Sequence, residues 1–220
     1  MEHQTQPTEH PLSQFHFCPK CGSPRFVVNN EKSKHCEACG FTYYFNPSAA
    51  TVAVILRSEK RKVRSEKRNV LENQEAKQSS SHFSPLTSHS QDFSLLVVRR
   101  AKEPAKGTLD LPGGFSDMFE TSEEGVRREV REETGLEVEK TQFLFSLPNQ
   151  YLYSNFLVHT IDMFYLCQVA DTTKAHAMDD AAEARWIPLQ DLRPEDFGLK
   201  SIRLGVEKFL ANFPIYIRYK

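Results

Sequence analysis

Short, densely apolar runs alternate with long polar intervals along this chain, and the apolar runs carry two different periods. Residues 49–56 are almost continuously apolar with several β-branched side chains, the composition of a strand covered on both faces. Residues 93–98 have the same character and offer a strand to pair with it. Further strands are expected around Phe143, over 159–169 and at 185–187. Toward the end, Ile202, Val206, Phe209 and Leu210 fall at i, i+4, i+7 and i+8, the buried stripe of a helix beginning near Ser201. Strands mixed with helices in this order predict an α/β fold.

The most informative stretch is not apolar. Residues 114–136 read as a loop followed by a short acidic helix. Thr121 and Glu124 have the spacing of a capping box, and Gly135 suits the left-handed residue that ends a helix. Between them, Glu129, Glu132 and Glu133 stand at i, i+3 and i+4 and share one face. Such crowding is unfavourable, the more so near the negative end of a helix dipole. Glu123 with Arg127, Glu124 with Arg128, and Arg128 with Glu132 have ion-pair spacing, but Glu129 and Glu133 have no basic residue between them on their own face, and Val126 and Val130 point to the core side. A divalent cation answers the crowding better than a solvated face, and oxygen-only ligands suit Mg2+ or Mn2+.

Gly114, Glu120, Arg128, Glu129, Val130, Glu132, Glu133, Gly135 and Leu136 fall without gap or substitution on the signature G-x5-E-x7-R-E-U-x-E-E-x-G-U, with U aliphatic. In this the chain resembles the Nudix hydrolases. The resemblance implies a Nudix fold, a mixed β-sheet sandwiched between helices, and hydrolysis of a nucleoside diphosphate linked to another moiety. It implies that Glu129, Glu132 and Glu133 bind Mg2+ or Mn2+ with help from the carbonyl of Gly113 or Gly114, and that Glu120, Arg128 and Gly135 are structural, Arg128 pairing with Glu120 to hold loop against helix. A carboxylate must take the proton of the attacking water, and Glu132 is the first choice. Glu183 lies where relatives place a further metal-binding or basic carboxylate; it reads equally as a solvated charge before a strand.

Cysteines define a second constellation. Cys18 and Cys21, each pair closed by a following glycine, are separated by fourteen residues from Cys36 and Cys39, the spacing of a zinc site. Four sulfurs give the closed tetrahedron of structural Zn2+. Disulfides are disfavoured in a reducing compartment, and redox Cys-x-x-Cys motifs come singly. The segment is similar to a zinc ribbon, too small to fold without its metal. His16 and His35 flank a site that four thiolates already saturate, and Cys167 reads as a buried core thiol. The expected organisation is a flexible N-terminus at 1–14, a zinc ribbon at 15–46, and a Nudix hydrolase domain at 47–220 carrying a disordered insertion at about 58–92. From 58 to 68 that insertion holds six basic and two acidic residues, read as a solvated loop.

A formal charge of −1 offers no global field to draw a polyanion, so nucleic acid is not the expected partner, and no apolar stretch is long enough to span a bilayer. The first residues lack the basic start and apolar segment of a secretory signal, which makes the cytoplasm the expected location. Ribbon plus signature is similar to the NADH pyrophosphatase branch, yet of that branch's Ser-Gln-Pro-Trp-Pro-Phe-Pro segment only Ser146 and Pro148 are shared. Pro148 stands twelve residues beyond Leu136, where ADP-ribose relatives carry a proline some fifteen beyond. Neither match is complete, and the substrates the resemblance implies are, in order, ADP-ribose, NADH and dinucleoside polyphosphates. Tyr151, Tyr153 and Phe156 are candidates to stack on a base, or else packing residues of a loop and strand. Other readings are a ligand-sensing regulator, which would have a degraded signature, and an RNA-cap-directed protein using the ribbon. Relatives often form homodimers, though no interface is identifiable in the sequence.

Overall fold

A computed structural model of the chain describes residues 10–58, 92–179 and 181–217. Residues 1–9 and all of the expected insertion except its two ends, Ser58 and Asp92, lie outside the described residues.

The N-terminal segment builds a small antiparallel sheet from β1 (Phe26–Asn30), β2 (Ser33–Cys36) and β3 (Thr42–Tyr44). Residues 10–14 are the described part of the N-terminal segment expected over 1–14. They form a turn whose Leu12 is fully buried, and Lys34, lying over the Phe26 ring, donates to the carbonyl of Phe15 at 2.7 Å just beyond it. An apolar side chain with a place to bury and a cation to gather the carbonyls is enough to order so short a stretch.

The large sheet contains β4 (Ser48–Ser58), β5 (Phe93–Arg100), β6 (Leu109–Asp110), β7 (Gly113–Phe115), β8 (Val138–Tyr153), β9 (Phe156–Val169) and β10 (Ala181–Pro188). Its spatial order is β10-β5-β4-β9-β8, with β6 beside β5 and β7 beside β4. The β4–β9 pair is parallel and the other pairs are antiparallel. Alternation along β4 explains its unbroken hydrophobicity. Val52 and Val54 pack with Phe164, Val206 and Phe209 beneath α2 (Lys200–Tyr216), while Ala53 and Ile55 pack with Val126 and Val130 beneath α1 (Ser122–Thr134). The result is the mixed sheet between helices expected from the sequence. The stripe on α2 also includes Phe213, and Gly205 lets the helix approach until an added Cβ would stand 2.3 Å from the Phe164 ring. Among the described residues no helix is long and apolar enough to cross a membrane.

The strand expected around Phe143 is far longer than anticipated, because β8 runs through Pro148 to Tyr153. Proline is tolerated there since β8 is an edge strand, with no neighbour to ask for its missing N–H on the outer side. Ser154 and Asn155, at φ 50° and 59°, turn the chain directly into β9. Two positive φ values make a two-residue turn of the type that matches strand twist.

Gly205→Ala is expected to destabilise the fold by about 1–3 kcal/mol, because Phe164 is fully buried and cannot yield, outweighing the gain in helix propensity. A urea denaturation midpoint unchanged or raised in the variant would contradict this packing.

Candidate active site

Helix α1 is capped at both ends as its sequence requires. The Thr121 hydroxyl accepts from the Glu124 N–H at 3.2 Å, the Glu124 carboxylate accepts from the Thr121 N–H at 2.8 Å, and Gly135 closes the helix at φ 67°. Fixing the helix start fixes the turn that carries Glu129, Glu132 and Glu133.

Arg128 organises the surroundings. Its guanidinium grips Glu120 with two bonds, Nε to Oε1 at 2.9 Å and Nη2 to Oε2 at 3.0 Å, and donates to the Phe115 carbonyl at 2.9 Å. Nη1 donates to Glu129 at 2.8 Å and to Glu132 at 3.1 Å. Arg128 thus reaches Glu129 from outside the face that Glu129 shares with Glu133: adjacent helix residues do not ordinarily face each other, but the tether to Glu120 and Phe115 swings Arg128 over its neighbour. Two other ion pairs allowed by spacing give way to different partners. Glu124 serves the cap, and Arg127 donates to the carbonyls of Val138 and Glu139.

The helix carboxylates press on β7. The Gly113 N–H donates to Glu133 at 3.1 Å, and a Cβ on Gly114 would stand 2.6 Å from Glu129 Oε1. A Cβ on Gly113 would stand 2.1 Å from the Thr51 carbonyl, so both glycines are demanded by close approach. Burial pushes the Glu129 carboxyl above the usual range against the pull of Arg128, with the charges of Glu132 and Glu120 adding to the rise. Arg128, followed by the Asp117 N–H, holds Glu120 below it. The donor set fits a hard divalent cation, which takes carboxylate oxygens and keeps several waters. The three glutamates do not converge as tightly as the thiols described next: among the described residues only the four cysteines bring their ligand atoms within 4.8 Å of one another.

Those cysteines form two matched turns. Gly22 N–H returns to the Cys18 carbonyl at 2.8 Å and Gly40 N–H to that of Cys36 at 2.9 Å, both glycines at φ 72°. Sulfur separations are 3.6 Å for Cys21–Cys36 and 3.8 Å for Cys18–Cys39, against about 3.8 Å for the edge of a tetrahedron with zinc-to-sulfur bonds of about 2.3 Å. No disulfide joins them. His35 is engaged with Thr42.

Beside the acidic turn opens a cavity of about 430 Å3, lined by Gly113, Gly114 and Glu133 together with Arg100, Asp110, Asn149, Tyr151, Tyr153 and Asp162. Tyr151 and Tyr153 are therefore brought to the site. Phe156 is not; its ring packs edge-on against Phe15 and Phe45, both at 5.5 Å, and joins the ribbon to the β8–β9 turn. Glu183 is not either, since it accepts from Arg99 at 3.0 Å within the β10–β5 pair. The sequence reading missed Arg100, which pairs with buried Asp110, and Asp162, which accepts from Thr160 and Ser201. A lone aspartate inside the apolar run 159–169 was the signal available for it.

An α/β sandwich whose acidic helix is clamped against a glycine pair at a cavity mouth is the class these observations define. The NUDIX domain family model matches residues 82–212, more than half of the chain, and the chain belongs to that family. It is 36% identical over 104 residues to an ADP-ribose pyrophosphatase of Methanocaldococcus jannaschii, covering 46% of this chain and 59% of that protein. It is 22% identical over 201 residues to the NAD-capped RNA hydrolase NudC of Stutzerimonas stutzeri, covering 91% of this chain and 58% of that protein. The chain thus spans less than two thirds of the length of these curated relatives. The crystal structure of a NUDIX hydrolase from Nitrosomonas europaea shares the fold, with a TM-score of 0.57 at 18% identity over 89% of this chain and 90% of that one.

Glu120→Gln is expected to cost about 1–3 kcal/mol at neutral pH by leaving Arg128 under-partnered. Because the folded carboxyl lies below its ordinary value of 4.5, its contribution is complete above that value and disappears as pH falls through the lower folded value. Urea titrations of wild type and variant should therefore converge in acid; a gap that widened there would refute the assignment.

Proposed function

We propose that this chain is a divalent-metal-dependent hydrolase cleaving the pyrophosphate of a nucleoside diphosphate joined to another moiety, ADP-ribose first, with NADH and dinucleoside polyphosphates next. The observation that carries this is the meeting of the Glu129 and Glu133 carboxylates with the Gly113–Gly114 backbone, where Gly113, Gly114 and Glu133 line a cavity that Tyr151 and Tyr153 also line. Similarity to an ADP-ribose pyrophosphatase supports the order of substrates.

Glu129, Glu132 and Glu133, with a carbonyl of Gly113 or Gly114, would hold Mg2+ or Mn2+. Such an ion, when bound, neutralises phosphoryl oxygens and acidifies a bound water. Glu132 is the proposed general base: its side chain is 44% exposed against 14% for Glu129, so it reaches incoming water while Arg128 anchors one oxygen. Arg100, in its ion pair with Asp110, and Lys102 line the same cavity. Cys18, Cys21, Cys36 and Cys39 would hold a structural Zn2+, a thiolate site that fits the reducing cytoplasm. The ribbon occupies residues 15–46 and the hydrolase domain 47–220 in this reading.

A second reading, action on NAD-capped RNA, draws on the similarity to NudC, which extends over 91% of this chain. A nucleotide panel with Mg2+ or Mn2+ and product masses separates the two. AMP released from ADP-ribose supports the first reading, AMP-side cleavage confined to NAD-capped RNA supports the second, and inactivity on every diphosphate with metal bound would leave a ligand sensor.

Glu132→Gln and Glu129→Gln are each expected to lower kcat by about a hundredfold or more with the thermal midpoint preserved. Elemental analysis is expected to find one Zn2+ per chain, lost in Cys36→Ser together with the order of the ribbon. A full complement of zinc in that variant would count against the four-thiolate site.

A further inference from the structure

Two strands lie side by side beneath the acidic helix, and their register decides what each side chain can reach. β4 and β7 pair antiparallel with Thr51 opposite Gly114, so Thr51 projects from the same face of the sheet as a side chain on Gly114 would. That neighbouring space is filled by a carboxylate: an added Cβ on Gly114 would stand 2.6 Å from Glu129 Oε1 and 2.8 Å from Oε2. The alternation that sends Ala53 and Ile55 beneath α1 sends Thr51 there too.

Thr51 is 1% exposed, and among the described residues its hydroxyl has no hydrogen-bond partner. Ser116 Oγ and His159 Nε2 share that condition, but of these three residues only Thr51 lines the cavity, with Gly113, Gly114 and Glu133. A buried hydroxyl left unpaired weakens a fold, whereas an apolar group of the same shape does not. The directly adjacent positions on this face offer no remedy of their own. Ala53 follows along the strand, Met163 stands opposite on β9, and Gly114 stands opposite on β7. The acceptor that this register brings to Thr51 is the Glu129 carboxylate lying over Gly114.

Glu129 has room for such a donor. Arg128 Nη1 holds it at 2.8 Å, and the same nitrogen also serves Glu132 at 3.1 Å. A carboxylate has about four lone-pair sites, so one guanidinium nitrogen does not exhaust it. The charge of Arg128 also opposes a cation at those oxygens, while a hydroxyl orients a carboxylate without adding charge. Carboxylates that ligate metals are themselves hydrogen-bonded, and these outer contacts tune affinity.

We propose that Thr51 is a positioning residue for Glu129, its hydroxyl donating to the Glu129 carboxylate when a divalent cation is bound. This rests on the metal site of the hydrolase reading and deepens it by adding a contact from the sheet to the three glutamates of the helix.

The test titrates Mn2+ into zinc-loaded wild type, Thr51→Val and Thr51→Ser, following free Mn2+ by electron paramagnetic resonance. Thermal midpoints without added Mn2+ and turnover of the diphosphate panel are recorded alongside. Valine keeps the branched shape and deletes the hydroxyl; serine keeps the hydroxyl and deletes the methyl. Thr51→Val should hold the midpoint at or above that of wild type yet weaken Mn2+ binding about tenfold to a hundredfold. Thr51→Ser should show the reverse, a lower midpoint with Mn2+ affinity close to that of wild type. A merely structural role would move midpoint and affinity together. Mn2+ affinity unmoved in the valine variant, a lowered midpoint in that variant, or an equal loss of affinity in both variants overturns the proposal. Turnover of diphosphates with affinity unmoved by valine removes the role of Thr51 and leaves the hydrolase intact. Affinity that follows the hydroxyl without any turnover upholds Thr51 and removes the hydrolase, and a wild type that binds no Mn2+ removes both.

Discussion

One guanidinium holds the acidic turn together. Arg128 spends its donors on Glu120, Phe115, Glu129 and Glu132, drawing loop and helix onto a common point. Without it, carboxylates at i, i+3 and i+4 near a helix C-terminus would repel one another and the helix dipole alike. With it, the turn still holds more negative charge than this one cation neutralises, because Arg128 faces three carboxylates, Glu120, Glu129 and Glu132. That residual charge, half-buried beside a cavity, is the electrostatic condition for attracting a divalent ion.

The sheet supplies the rigidity this clamp needs. Strand β4 is covered on both faces and paired with β9, β5 and β7, so the backbone beneath Gly113 and Gly114 cannot retreat. Carboxylates therefore meet the glycines at a distance set by packing rather than by their own attraction. Alternation along the strands divides the labour: side chains on one face bury α1 and fix the acidic turn, while those on the other bury α2 and then line the cavity.

What could be read from the sequence is what is encoded locally. Capping at Thr121, Glu124 and Gly135, the grip of Arg128 on Glu120, the two Cys-x-x-Cys-Gly turns and the apolar runs of β4 and β5 each depend on residues within a few positions, or on a composition that admits one environment. The cavity was not legible, because Asn149, Asp162, Arg100 and Asp110 come together only through strand register, which no local spacing reveals. Phe156 illustrates the same point. Its place in the sequence beside Tyr151 and Tyr153 hid the turn at Ser154–Asn155, which sends it to the ribbon instead of the cavity. Glu183 sits in a strand rather than before one, and the β10–β5 register hands it to Arg99.

Ribbon and cavity are consequently not independent. A two-stranded hairpin extending past its sheet is marginal by itself, and the outer part of β8–β9 reaches beyond the ends of β4. There the ribbon grips it, with Phe15 and Phe45 on the Phe156 ring, Phe45 also against His159 at 5.4 Å, and Gln14 donating to the Asn155 carbonyl at 2.8 Å. Two and four residues before that carbonyl, on the same hairpin, stand Tyr153 and Tyr151, the aromatic wall of the cavity. Whatever orders the ribbon therefore also orders that wall: the four thiols gather β1 to β3, the ribbon aromatics gather the hairpin turn, and the hairpin carries the tyrosines to the cavity.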